Sequence, residues 1–128
     1  MKKLQVLIVQ DVNDEGLDWE VMLKHREFQV ASRSSQEILS SPMLANGEDL
    51  VIIEADNPQR AITLCTVLRT RYSGVVLLYA PHHDERDIIA GYHAGANDYL
   101  VKPRSMRVLR AKVSMWITRI VKARIVSS

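Results

Sequence analysis

At 128 residues, 47% of them apolar, the chain is long enough to bury a core without disulfides or a structural metal, and it is read as one domain. The only cysteine, Cys65, sits among Ile62, Leu64, Val67 and Leu68 and reads as a reduced, packed thiol of a cytoplasmic protein. No stretch approaches the roughly 20 apolar residues of a membrane span, and Met1-Lys-Lys followed by residues 4–9 is too short for a signal peptide.

The elements follow from apolar period. Residues 4–9 have the length and composition of a strand, and a helical pattern follows over 14–25. A second strand is expected at 28–32 and a second helix at 35–44, with 40–48 as the mobile connection to a third strand at 50–53. Pro58 suits the first turn of a helix over 58–71. A fourth strand at 75–79 is followed by a helix over 85–94, which Gly95 closes as a residue able to take a left-handed conformation. The last pair is a strand at 98–101 and a helix over 105–124. On that helix Met106, Leu109, Val113, Trp116, Ile117 and Ile120 form an apolar stripe, and Val108 and Met115 fall off it among the arginines as a partner surface.

Five alternating pairs predict an α/β fold, a doubly wound five-stranded parallel sheet of order 2-1-3-4-5 with five helices. Strands one, three and four are nearly unbroken Val, Ile and Leu, as interior strands covered on both faces should be. In this topology the switch point lies between strands one and three, so Gln10, Asp11 and Glu54 converge at the carboxyl edge of the sheet.

Four stretches meet at that edge: Leu7-Ile-Val-Gln-Asp11, Asp49-Leu-Val-Ile-Ile-Glu54, Val75-Val-Leu-Leu-Tyr79 and Gly95-Ala-Asn-Asp-Tyr-Leu-Val-Lys-Pro103. Together they resemble the signature of the response-regulator receiver family, the CheY-like phospho-acceptor modules of two-component signalling, over nearly the whole chain. The resemblance implies a receiver-like domain over residues 1–124, with 125–128 as a C-terminal tail or the start of a linker to an output domain. It also implies a pocket in which paired acids after strand one and an acceptor aspartate after strand three hold a divalent cation.

Several of those positions are altered here. Gln10 replaces the first acid, Asp11 keeps the second, and Glu54 stands at the acceptor position. Magnesium demands hard oxygen ligands at short distances, so the lost charge leaves at most a weak Mg2+ site at Asp11 and Glu54, with Asp56 and loop carbonyls as further oxygens. Glutamate carries its carboxylate roughly 1.5 Å further out than aspartate, and errors of about 1 Å cost on the order of a hundredfold in an in-line transfer. Tyr79 stands where the family has a small hydroxyl residue. Its ring either fills the space a phosphate needs or points elsewhere and packs a loop. Tyr99 takes the switch-aromatic position, and Lys102 precedes Pro103, a pairing that in the family brings the ammonium beside the acceptor through a cis bond. Lys102 is therefore expected to pair with Glu54.

The leading reading is a pseudo-receiver, not an enzyme, that binds a protein partner or a linked output domain through its fourth helix, fifth strand and fifth helix. Acids Asp84, Glu85 and Asp87 open the fourth helix. No acid follows Asp98, while Lys102, Arg104, Arg107, Arg110, Lys112, Arg119, Lys122 and Arg124 do, so a homodimer could pair the two faces reciprocally. The alternative is a working phospho-receiver using Glu54 or Asp56 with Mg2+. A flavodoxin-like ligand site is disfavoured because the acidic loop after strand one would repel a phosphate. Specific nucleic-acid binding lacks a helix-turn-helix spacing, and the histidines His25, His82, His83 and His93 lack metal-ligand spacing.

Overall fold

A computed structural model describes residues 3–13, 16–25, 27–41, 45 and 47–127. Five strands form one parallel sheet in the order β2-β1-β3-β4-β5: β1 (Leu4–Asp11), β2 (Phe28–Ser34), β3 (Leu50–Ala55), β4 (Val75–Ala80) and β5 (Asp98–Val101). The helices are α1 (Trp19–Met22), α2 (Ser35–Ser40), α3 (Pro58–Leu68), α4 (Glu85–His93) and α5 (Met106–Ser127). The predicted order and pairing are those observed, and β1, β3 and β4 are the interior strands.

Side chains alternate across the sheet and build two cores. Leu7, Val9, Val51, Ile53, Val76 and Leu78 pack with Ala61, Leu64 and Leu68 of α3 on one face. Val6, Ile8, Leu50, Ile52, Leu77 and Leu100 pack with Trp19 and with Leu109, Val113 and Ile117 of α5 on the other. Each such aliphatic side chain contributes roughly 1.5–3 kcal/mol on burial, which is what holds the strand ends, and the polar residues there, in fixed register.

The caps follow the local chemistry. Asn57 accepts from the backbone N–H of Gln59 and Arg60 ahead of Pro58. Ser34 and Glu37 form a reciprocal capping box at α2, and Asp84 caps α4. Gly95 leaves α4 at a φ of 109°, the left-handed region.

Three expectations are corrected. The first helix covers four residues, not the twelve of 14–25, because the Leu17 N–H is spent on Glu54 and the turn starts only at the Asp18 cap; Asp14 and Glu15 of that range lie outside the described residues. Met106 is 40% exposed and does not join the α5 stripe, whose buried members are Leu109, Val113 and Ile117. Helix α5 spans Met106–Ser127, three residues beyond the helix end expected at 124. Helix α2 ends at Ser40, with Ser41 as its C-cap; residues 42–44 of the helix expected over 35–44, and residues 42–44 and 46 of the connection expected at 40–48, lie outside the described residues.

Candidate functional site

Strand register sets the site. Gln10 of β1 is level with Glu54 of β3, Glu54 with Tyr79 of β4, and Tyr79 with Leu100 of β5, so one row crosses the sheet at its carboxyl end. Level residues in a parallel sheet share a face, and this row faces the α1 and α5 side. β1 and β3 each run two residues beyond their predicted ends, and this extension places Gln10 and Glu54 on strands instead of loops.

The Glu54 side chain is almost wholly buried, at 2% exposed for the residue, and its carboxylate is ringed by donors. Gln10 Nε2 and Trp19 Nε1 each donate to Oε1 at 3.0 Å, and the Leu17 N–H is shared by both oxygens at 3.3 Å. Lys102 Nζ lies 3.6 Å from Oε2. A buried carboxylate is tolerated only when its lone pairs are occupied in this way. Gly16 lies close against this cage: a Cβ there would stand 2.5 Å from both Gln10 Nε2 and Glu54 Oε1, so those side-chain ends would have to shift.

The other acids are arranged apart from this cage. Asp11 is one residue beyond the Gln10 row, and its carboxylate takes the guanidinium of Arg60 from α3 at 2.6 Å. Asp56 accepts from the Asn13 N–H at 2.7 Å and lies 3.7 Å from Lys102 Nζ, so the lysine stands between Glu54 and the more open Asp56. The Lys102–Pro103 bond is cis.

Tyr79 lies beside the pocket and is buried. Its ring meets Trp19 edge-on at 6.0 Å, and the Lys102 ammonium sits 5.0 Å from the ring centre. The ring thus lies against Trp19 and Lys102 at the carboxyl end of the sheet. Tyr99 lies on the opposite face, buried in the α3–α4 core, with its hydroxyl donating to the Pro81 carbonyl at 2.5 Å. Burial, and then the charge of Asp87, pushes its phenol up to about 12. Gly91 of α4 makes room for it, since a Cβ at that position would lie 2.8 Å from the Tyr99 ring.

The side chains present do not fit a magnesium ion. The Asp11 carboxylate is held by Arg60, the Glu54 oxygens face N–H donors, and Gln10 turns its amide nitrogen to Glu54. Among the described residues there is no group of three or more His, Cys, Asp or Glu that could hold a metal.

Trp19, Leu17, Gly16 and Arg60 are the functional neighbours that sequence reasoning missed. Trp19 carried the one usable signal: an indole N–H inside an apolar pattern must find an acceptor if it is buried.

The comparisons accord with this architecture. A model of the response regulator receiver domain matches residues 6–114. The response regulator ArlR of Staphylococcus aureus (strain Mu50 / ATCC 700699) is 27% identical over 116 residues, which is 90% of this chain and 53% of that protein. The chain thus spans about half the length of the curated relatives it matches. Among solved structures, a two-component response regulator from Clostridium difficile superimposes with a TM-score of 0.70 at 20% identity, over 92% of this chain and 98% of the other. A response regulator from Thermotoga maritima does so with a TM-score of 0.71 at 23% identity, over 91% and 98%. At those identities the two structures speak for the fold alone. With the family match covering most of its length and the sheet order in agreement, the chain belongs to the response regulator receiver domain family.

Proposed function

We propose that this receiver domain is a protein-interaction module that signals without conventional aspartyl phosphorylation. The observation that carries this reading is the Glu54 carboxylate, whose oxygens are occupied by Gln10, Leu17, Trp19 and Lys102 at the position where the family's acceptor would need to be free. Nucleophilic attack on a phosphoryl donor requires an accessible carboxylate beside a cation, and both requirements go unmet by this donor set.

The interaction face is α4, β5 and α5. Ile89, Tyr92, Met106, Val108 and Met115 are large apolar side chains exposed there. Around them α5 is basic and the first turn of α4 is acidic, a complementarity suited to an acidic partner, a linked output domain or a second copy. The receiver unit is taken as residues 1–124, with the α5 residues beyond it leading to a tail or linker. A cytoplasmic setting suits the single free thiol; no helix among the described residues is long and apolar enough to cross a membrane.

A titration of the protein with beryllofluoride or acetyl phosphate in millimolar magnesium tests the reading. Unchanged amide spectra and unchanged intact mass are expected, whereas saturable stoichiometric modification at Glu54 would refute it. One observation favours a second reading, phosphorylation at Asp56: its side chain is 43% exposed and lies beside Lys102. A mass increase abolished by Asp56→Asn would select that alternative.

A further inference from the structure

Two of the groups that close over Glu54, the Leu17 N–H and the Trp19 indole, come from residues 16–19, at the start of the single turn of α1. Gly16 lies against the carboxylate, where a Cβ would stand 2.5 Å from Glu54 Oε1. Leu17 then contributes its N–H, and Trp19 turns its indole inward until it is 2% exposed. A buried indole N–H requires an acceptor and a buried carboxylate requires donors, so each satisfies the other across 35 residues of chain.

We propose that residues 16–19 form a lid latched by Glu54, with the Trp19 ring as the plug of the pocket, and that opening of this lid is the change of state available to the domain. The proposal rests on the reading of the chain as a receiver that works without aspartyl phosphorylation. Trp19 and Tyr79 belong to the core that includes Leu100, Leu109 and Val113, so release of the plug loosens the packing beneath α5. Tyr99 lies across the sheet, tied to Pro81 and pressed against Gly91, and stays in place. The lid is accessible from outside: Gly16, Leu17 and Asp18 form one wall of an open cleft of about 530 Å³ completed by Ser32, Arg33 and Ser34. The change of state therefore runs from the β1–α1 segment to α5, bypassing the aromatic at Tyr99.

The chain has two tryptophans, so Trp116→Phe leaves Trp19 as the sole indole reporter. In that background Glu54→Gln keeps the side-chain volume and removes the charge. The expected result is a red shift of Trp19 emission, greater acrylamide quenching and about a tenfold or larger rise in hydrogen exchange at the Leu17 amide, with β3 and β4 amides still protected. Amides around Leu109 should also exchange faster, while those of α4 should not. Trp19 emission and Leu17 exchange that do not respond to Glu54→Gln would overturn the latch, and faster exchange in α4 instead of α5 would overturn the route. Should Glu54→Gln fail to fold, Trp19→Phe decides: it keeps an aromatic plug and deletes the donor, and unchanged Leu17 exchange in it counts equally against the proposal. A beryllofluoride response of the unmutated protein defeats the phosphorylation-independent reading through a separate readout, so the two failures are distinguishable.

Discussion

Residue by residue, the site is governed by the requirement that buried polar groups be paired. Glu54→Ala would leave the Leu17 N–H and the Trp19 indole without their acceptor and the Gln10 amide with only the Leu17 carbonyl at 3.4 Å, while Lys102 keeps Asp56. Each buried donor left unpaired costs about 1–3 kcal/mol, and urea unfolding should report a loss of at least that order. Gly16→Ala attacks the same contact sterically and should cost about 1–3 kcal/mol, as overpacking does. The phenols add an alkaline limit. Burial raises both Tyr72 and Tyr99 to about 12, so their folded-state pKa values exceed the unfolded value of 10.0. The stability they contribute is fully present below pH 10, because the neutral form is the one the fold prefers, and it is lost as pH rises from there towards 12. An ultraviolet titration should find two tyrosinates absent until that window, with unfolding accompanying their appearance. Glu54 and Tyr79 stand out in the linear sequence as departures from the receiver pattern, and Lys102 with Pro103 as a retained part of it. Trp19 does not, since its acceptor is far away in sequence and only packing brings the two together.

At the scale of the element, α1 illustrates tertiary contact overriding a helical pattern. Residues 14–25 have the composition of an amphipathic helix, yet short helices are marginal without packing. The Leu17 N–H and the Trp19 indole are diverted to Glu54, leaving one turn. Strand ends extend for the opposite reason, because neighbouring strands supply ladder partners to Gln10 and Glu54 that their polar side chains gave no hint of. The interaction face has its own fastening. Asp98 of β5 accepts from Tyr92 Oη on α4 at 3.1 Å and from Trp116 Nε1 on α5 at 3.0 Å. Asp98→Ala leaves the half-buried Trp116 indole without its acceptor, while the exposed Tyr92 hydroxyl turns to water, and should destabilise the fold by about 1 kcal/mol, accompanied by a shift in Trp116 emission.

For the whole molecule, the exposed apolar side chains of α4 and α5 contribute none of the groups that contact the Glu54 carboxylate. Met115→Glu on the surface of α5 should change stability by no more than about 0.5 kcal/mol while weakening association, whether with a partner or with a second copy. Sedimentation at rising salt should weaken any contact between the acidic α4 turn and basic α5, because screening shortens to about 10 Å at 0.1 M. The alternation of Val/Ile/Leu runs with helical segments was enough to determine a five-stranded parallel sheet of order 2-1-3-4-5. Its switch point then followed, because right-handed crossovers leave few other topologies. The types of residue at the pocket were equally plain. Which donors close over Glu54, that Asp11 turns to Arg60 while Gln10 turns to Glu54, and that the first helix shrinks to one turn were decided only by the tertiary structure. The physical reason is that local period reports which face a side chain takes, whereas hydrogen-bond partners distant in sequence are chosen by the cost of leaving a buried polar group unpaired.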